Sequence, residues 1–156
     1  MKLRNFIVEK AIRLDLKGRD KRSVIREMVE ALRDAGCISS NDVEALVKAL
    51  MKREEIGSTG IGKGVAVPHT RHACVDRLMA TMARSVEGVD FAALDGQPVH
   101  ILFLVLSPPD EAGPHIAALE RVFSILKNDD FCRFVMDISK PKEAIELIKE
   151  AEEMLE

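Results

Sequence analysis

Residues 99–106 form a nearly continuous apolar run, Val99-His100-Ile101-Leu102-Phe103-Leu104-Val105-Leu106. The turn-forming pairs Asp95-Gly96 and Pro108-Pro109 bound this run on its two sides. Neighbouring side chains of a strand point to opposite faces of a sheet, so a strand that is apolar throughout is buried on both faces. The run therefore predicts a central strand that is covered by helices on both sides.

Helical patterns lie before and after this strand. Apolar residues at helical spacing predict one helix that follows an N-terminal cap at Asp20 and ends at Gly36. A second helix is expected after a cap at Ser39 or Ser40. Three further helices are expected to begin near Pro114, Asp129 and Pro141.

Shorter patterns complete the expected fold. Residues 5–9 predict a first helix, and residues 12–16 a short extended segment. Residues 65–67 and 78–85 predict two further strands. Residues 1–156 are therefore expected to form one α/β domain, a sandwich with a small mixed sheet flanked by helices on both faces.

Composition argues against several classes of protein. The 156 residues carry a net charge of −3, and they include no Trp, no Tyr and six Phe. A nucleic-acid-binding surface is thus not expected, because it needs positive charge and stacking aromatic rings. The apolar run at 101–106 is too short for membrane insertion. The three cysteines form no C-x-x-C pair, which suits a reducing compartment, and we expect a cytoplasmic protein.

The chemistry is concentrated in residues 53–69, which read Arg53-Glu54-Glu55-Ile56-Gly57-Ser58-Thr59-Gly60-Ile61-Gly62-Lys63-Gly64-Val65-Ala66-Val67-Pro68-His69. Clustered glycines permit turns in which backbone N–H groups converge on an anion. The segment nevertheless matches neither nucleotide-binding fingerprint, because Lys63 is followed by Gly64 and no helical pattern comes next.

His69 follows a short apolar strand and Pro68, whose ring fixes the backbone that enters the histidine. An imidazole with an ordinary pKa near ~6.5 presents a neutral, nucleophilic nitrogen at neutral pH. A histidine that only stabilises a turn is the alternative interpretation.

The other histidines allow different interpretations. His72 and Cys74 form an H-x-x-H-x-C pattern with His69, which leaves a zinc site open, although no second ligand cluster completes it. His100, within the central strand, is expected to be a hydrogen-bonded core residue. His115 follows Pro114 at a helix start, where backbone N–H groups favour an anion.

Residues 53–69 resemble the active-site segment of the IIA domains of the bacterial phosphoenolpyruvate-dependent phosphotransferase system. The similarity is to the fructose, mannitol and nitrogen-regulatory class, whose pattern is roughly S-T-x-(I/L)-G-x-x-(I/V)-A-(I/V)-P-H. Residues 88–91 and 94–99, and the helix that begins at His115, are also similar to this family. The resemblance extends from about Leu14 to Leu147.

The resemblance implies that His69 is phosphorylated at a ring nitrogen by a histidine phosphocarrier protein. In the mannitol branch, an arginine and a second histidine assist the transfer, and Arg53 and His115 occupy the matching positions. The protein would then be a phosphotransferase component that needs no metal or nucleotide cofactor, since the donor arrives as a phosphoprotein. An arginine can contact two phosphoryl oxygens at once, which a lysine cannot.

Further residues of the segment are expected to bind phosphate or the partner protein: Thr59, Gly62, Lys63 and Gly64. Lys63 departs from the family pattern, which commonly has a polar or acidic residue there, and it could steer a phosphorylated donor or simply be solvated. Ile56, Ile61 and Val65 would either form an apolar docking rim or pack in the core.

Two functional alternatives stay open for a phosphocarrier, and a third is a sensor or binding module on the same fold. We favour a stand-alone nitrogen-regulatory IIA that signals to a target protein through its phosphorylation state. A sugar-transport IIA that hands phosphate to a separate IIB component is the alternative. A sensor module that no longer transfers phosphate is the third, and the joint presence of Arg53, His69 and His115 argues against it.

Overall fold

The computed structural model describes residues 1–155 and contains a five-stranded mixed sheet. The strands are β1 (Gly60–Gly62), β2 (Val65–Ala66), β3 (His69–Arg71), β4 (Met79–Val89) and β5 (Val99–Ser107). Central strand β5 pairs antiparallel with β4 on one side and parallel with β2 and β3 on the other, while β1 pairs with β2. The expected central strand and the small mixed sheet are confirmed.

Strands β2 and β3 lie one after the other along the same edge of β5. Val65 pairs with Ile101, and His69 pairs with Val105. Pro68, between the two strands, cannot donate a hydrogen bond, but its carbonyl accepts one from the backbone N–H of Val105 at 3.1 Å. The proline therefore interrupts the edge and lets the chain emerge at His69 near the carboxyl end of β5.

Five helices cover the two faces of the sheet: α1 (Lys21–Asp34), α2 (Val43–Ile56), α3 (Ala112–Leu126), α4 (Asp129–Val135) and α5 (Pro141–Glu153). Leu102, Leu104 and Leu106 of β5 join one buried cluster with α1 and α2. The alternate β5 residues join a second cluster with α3, α4 and α5. Since full burial of such a side chain stabilises a fold by about 1.5–3 kcal/mol, both faces hold the sandwich together. The predicted fold class is confirmed.

The predicted helix at residues 5–9 is wrong. Short 3₁₀ turns occupy Leu3–Asn5 and Glu9–Ala11, and the intervening chain lies along the outer edge of β4. The backbone N–H of Val8 donates to the carbonyl of Ala80 at 2.8 Å, so pairing with the sheet replaces helical hydrogen bonds. The extended segment predicted at 12–16 forms a similar bridge through Arg13.

No helix in residues 1–155 is both long and apolar enough to cross a membrane.

Candidate functional site

His69 is the first residue of β3, and its ring is held in a defined orientation. The ring Nδ1 lies 2.7 Å from the backbone carbonyl oxygen of Val67. A carbonyl only accepts hydrogen bonds, so Nδ1 carries the proton of the neutral ring and donates it to Val67. The other nitrogen, Nε2, is then left with an available lone pair.

His115 packs beside this ring. It lies in the first turn of α3, and only 6% of its surface is exposed. The centroids of the His69 and His115 rings are 5.6 Å apart, and the ring planes are tilted by 51°. The Nδ1 of His115 lies 2.6 Å from the hydroxyl oxygen of Ser107, the last residue of β5. The end of β5 and the start of α3 thus bring two imidazoles together.

Burial and nearby charge keep both imidazoles neutral at pH 7. The pKa of His69 is lowered, first by burial and then by the positive charge of Arg53, against the opposing effects of the Val67 hydrogen bond and of Glu54. Burial, with the neighbouring His69 and Arg71, lowers the pKa of His115 to about 4. Only a neutral imidazole has an unprotonated ring nitrogen that can act as a nucleophile, and in His69 this nitrogen is Nε2.

Arg53 approaches the site from the last turn of α2. Its Nη1 donates to the carbonyl of Gly57 at 3.1 Å, which ties the guanidinium to the chain that leaves the helix. The remaining N–H groups of the guanidinium fork are suited to an anionic group. The structure thus brings Arg53, His69 and His115 together, and this combination of nucleophile, cation and second imidazole is suited to accepting a phosphoryl group.

The buried carboxylate of Glu54 is a feature that the sequence analysis missed. It accepts a hydrogen bond from the backbone N–H of Thr59 at 3.0 Å and another from the Thr59 hydroxyl. The ammonium of Lys21 lies 3.0 Å from the same carboxylate. Glu54 follows Leu46 and Leu50 at intervals of four residues, which indicates the buried face of α2 and could have identified it.

This network changes the interpretation of Thr59. The residue is buried, and both its hydroxyl proton and its backbone N–H are donated to Glu54. Thr59 therefore fixes the loop that follows α2, and Gly57 of the same loop accepts the hydrogen bond from Arg53. The structure does not present its side chain to a phosphate.

The turn Gly62-Lys63-Gly64 lies away from His69. It connects β1 to β2, and β2 meets β5 at Ile101, four residues before the partner of His69. Four residues of strand span about 13 Å, so the structure does not bring this turn to the imidazole pair. All three residues have a positive φ, of 107°, 59° and 76°, as a tight hairpin turn requires. Contact between this turn and a partner protein stays a prediction.

His72 and Cys74 bind each other rather than completing a ligand set with His69. The backbone N–H of Cys74 donates to the Nδ1 of His72 at 3.1 Å. Across residues 1–155, no three His, Cys, Asp or Glu side chains are grouped so that they could hold a metal ion. The Nδ1 of His100 is hydrogen-bonded to the carbonyl of Ser85 at 2.8 Å, as expected, but the residue is half-buried rather than in the core.

Known proteins match almost the whole chain. The family model for "Phosphoenolpyruvate-dependent sugar phosphotransferase system, EIIA 2" matches residues 5–151. The PTS system fructose-specific EIIABC component of Bacillus subtilis is 33% identical over 150 residues, which are 96% of this chain and 23% of that protein. The nitrogen regulatory protein of Bradyrhizobium diazoefficiens is 31% identical over 133 residues, 85% of each chain.

A solved structure agrees with these sequence matches. The crystal structure of nitrogen regulatory protein IIA-Ntr from Neisseria meningitidis superimposes with a TM-score of 0.83 at 30% identity, covering 93% of this chain and 97% of that one. Residues 5–151, which the family model matches, include Arg53, His69 and His115, and the resemblance found in the sequence is confirmed. The chain belongs to the EIIA 2 family of the phosphoenolpyruvate-dependent sugar phosphotransferase system.

Proposed function

We propose that the Nε2 of His69 accepts a phosphoryl group from a phosphorylated histidine phosphocarrier protein. The observation that carries this proposal is the hydrogen bond from Nδ1 to the Val67 carbonyl, in a ring whose pKa is lowered and which packs against His115. The bond leaves Nε2 unprotonated and aims the ring. A nucleophile that is neutral and already oriented needs little reorganisation before the reaction.

The transfer needs no separate base. The phosphorus–nitrogen bond of the donor phosphohistidine breaks as a bond forms between phosphorus and the Nε2 of His69. The electron pair of the broken bond returns to the donor imidazole, and Nδ1 of His69 keeps its proton in the hydrogen bond to Val67. Phosphoryl transfer proceeds through a loose, in-line transition state, so positioning and charge stabilisation supply most of the catalysis.

Arg53 and His115 would supply that stabilisation. The Arg53 guanidinium lies close enough to lower the pKa of His69, and its free N–H groups would bind the phosphoryl oxygens. A neutral His115 would donate one hydrogen bond to the same group without adding a second full positive charge beside Arg53. The acidic residue nearest to this set, Glu54, is occupied by Thr59 and Lys21.

An apolar rim for the donor is available on one side of the site. Ile56, three residues after Arg53, is 82% exposed, whereas Ile61, which is 47% exposed, immediately precedes the turn that lies away from His69. Large apolar side chains in water are typical of the centres of protein interfaces. Val65, the third residue expected in this rim, is buried in the core instead. We propose that the donor protein docks over Ile56, beside Arg53.

We propose that the phosphorylated protein signals to a target protein as a nitrogen-regulatory IIA. The support is the similarity to IIA-Ntr of Neisseria meningitidis and to the nitrogen regulatory protein of Bradyrhizobium diazoefficiens. The similarity to the fructose-specific component of Bacillus subtilis favours the alternative, in which the phosphoryl group passes to a IIB component.

Intact-mass spectrometry tests phosphoryl acceptance. The protein is incubated at neutral pH with phosphoenolpyruvate, enzyme I and a histidine phosphocarrier protein, beside the variants His69→Ala and His100→Ala. One added phosphoryl group is expected on the wild type and on His100→Ala, and none on His69→Ala. Acceptance by His69→Ala would refute the assignment, and no acceptance by the wild type from several donors would favour a sensor module that does not transfer phosphate.

A second assay separates regulation from sugar transport. Isolated phosphoprotein is mixed with purified IIB components of the fructose and mannitol types, and the masses of both proteins are followed. Regulation predicts that the phosphoryl group stays on this protein or returns to the phosphocarrier. Rapid transfer to one IIB component would establish the sugar-transport alternative.

A further inference from the structure

Ser107 is a buried polar residue in contact with His115. It is fully buried, and its hydroxyl oxygen lies 2.6 Å from the Nδ1 of His115. Its backbone is also fixed, since it pairs with Arg71 of β3 and its carbonyl accepts a hydrogen bond from the N–H of His72 at 3.0 Å. The sheet therefore holds the serine hydroxyl in place beside His115.

The hydrogen bond between these two residues has a direction. A serine hydroxyl carries one proton to donate, and a buried donor without an acceptor costs about 1–3 kcal/mol. Within residues 1–155, the only acceptor in hydrogen-bond contact with the Ser107 hydroxyl is the Nδ1 of His115. If that nitrogen carried the ring proton, the serine proton would have no acceptor. Ser107 therefore donates and Nδ1 accepts.

We propose that Ser107 is a positioning residue that holds His115 in the tautomer with its proton on Nε2, so that His115 is a ready hydrogen-bond donor to the phosphoryl group. This inference rests on the proposed phosphorylation of His69. A phosphoryl group presents only acceptor oxygens, so the opposite tautomer of His115 would direct a lone pair at them. The pairing of Ser107 with His115 parallels that of the Val67 carbonyl with His69, but with the opposite proton placement.

The two fixed tautomers are complementary. His69 has its proton on Nδ1 and its lone pair on Nε2, which makes it the acceptor of phosphorus. His115 has its lone pair on Nδ1 and its proton on Nε2, which makes it a donor to oxygen. A carbonyl enforces the first arrangement, and a hydroxyl with a single available acceptor enforces the second. Neither ring would then need to rotate or exchange a proton to reach the transition state.

Nuclear magnetic resonance of ¹⁵N-labelled protein tests this inference directly. Long-range ¹H–¹⁵N correlations distinguish a protonated ring nitrogen from an unprotonated one, and they are recorded at neutral pH for the wild type, Ser107→Ala, Ser107→Thr and Ser85→Ala. Ser85 is the matched control, because it is also a buried strand serine but its hydroxyl accepts from the backbone N–H of Gly88. The rate of phosphoryl transfer to His69 is measured for the same four proteins.

The expected result is a single His115 tautomer with the proton on Nε2 in the wild type, in Ser107→Thr and in Ser85→Ala. Ser107→Ala should show a mixture of tautomers and a transfer rate about tenfold lower. A wild-type spectrum with the proton on Nδ1 would overturn the inference even if Ser107→Ala failed to fold. Unchanged tautomer and rate in a folded Ser107→Ala would also overturn it. If the wild type were not phosphorylated, the proposed function and the role of Ser107 in transfer would both be refuted. The tautomer of His115 would still show whether Ser107 donates to its Nδ1.

Discussion

His69 and His100 lie at opposite ends of the sheet and share one feature. Each ring is held through Nδ1 to a backbone carbonyl, that of Val67 at 2.7 Å and that of Ser85 at 2.8 Å. They differ in their surroundings, because His69 packs against the ring of His115 and is near the charge of Arg53. Across residues 1–155, no second imidazole packs against His100. The carbonyl contact is therefore common to both histidines, and the neighbouring cation and second imidazole are what set the proposed phosphoryl site at His69 apart from His100.

The glycine-rich turn lies at the end of the sheet that contains His100. The backbone N–H of His100 donates to the carbonyl of Gly64 at 2.8 Å, and Ile101 donates to the same carbonyl. The positive φ angles of the turn allow this close approach to β5. The glycines therefore serve strand pairing at one end of the sheet, while the proposed chemistry takes place at the other.

Replacement of Arg53 by lysine should give the largest change in transfer rate that leaves the nucleophile intact. The variant keeps a positive charge but loses the planar fork, so we expect phosphoryl transfer to slow by about 10- to 100-fold. Stopped-flow or quenched transfer from the phosphocarrier protein measures the rate. Melting temperature is measured in parallel, and little change is expected because Arg53 is only half-buried.

Arg26→Lys is the matched control for Arg53→Lys. Arg26 makes a forked ion pair, at 2.6 and 2.9 Å, with Glu44 in the first turn of α2, at the opposite end of that helix from Arg53. The same chemical change there should leave transfer unaffected. Equal rates for the two variants would reduce Arg53 to a structural role, and the difference between His69 and His100 would then rest on His115 alone.

The pH dependence of stability should also distinguish the imidazole pair. The pKa of His115 is about 4 in the folded protein and about 6.5 when the chain is unfolded. Between these values the unfolded chain binds a proton that the folded protein does not, so stability is fully present above pH 6.5 and falls as pH drops towards 4. We expect His115 to account for a loss of about 2 kcal/mol between pH 7.5 and pH 5.

Urea unfolding at these two pH values, for the wild type, His115→Gln and His100→Gln, measures this contribution. The decrease in the free energy of unfolding should be about 2 kcal/mol smaller in His115→Gln than in the wild type. His100→Gln should retain the wild-type decrease. If His115→Gln lost as much stability on acidification as the wild type, burial of neutral His115 would not be the cause.

Much of the framework was predictable because its causes are local. Asp20 caps α1 through a hydrogen bond from the backbone N–H of Ser23 at 2.9 Å, and Gly36 ends it with a φ of 82°. The unbroken apolar run of β5 indicated burial on both faces, which the two clusters confirm. The helix predicted at residues 5–9 is wrong because the backbone there forms hydrogen bonds with the edge of β4, which is distant in the sequence.

The site was predictable only in part, because sequence patterns indicate single residues but not which of them the fold brings into contact. A motif indicates His69 and a helix start indicates His115, and the fold brings the centroids of their rings to within 5.6 Å of each other. The role of Ser107 depends on contact with α3, which no local pattern encodes. Lys63 is only six residues from His69 in the chain, but the extended segment between them places it towards the other end of the sheet, a separation that sequence spacing does not show.

Replacement of Lys63 by asparagine should give the smallest effect. Lys63 is exposed, and at about 13 Å from His69 its charge is largely screened at physiological salt, where the Debye length is about 8 Å. Transfer from the phosphocarrier protein should stay within about twofold of the wild-type rate. Asparagine tolerates the positive φ of 59° better than lysine does, so stability should be unchanged or rise by a few tenths of a kcal/mol, about what a relieved turn residue contributes.

Measurement of kcat/KM for the donor at two salt concentrations decides whether the turn belongs to the docking surface. Lys149→Asn, an exposed lysine on α5, is the control for the loss of one charge. If kcat/KM fell several-fold at low salt for Lys63→Asn but not for Lys149→Asn, with kcat unchanged, the surface bound by the donor protein would extend from His69 to the hairpin. The two ends of the sheet would then form one binding surface, with the reaction confined to His69.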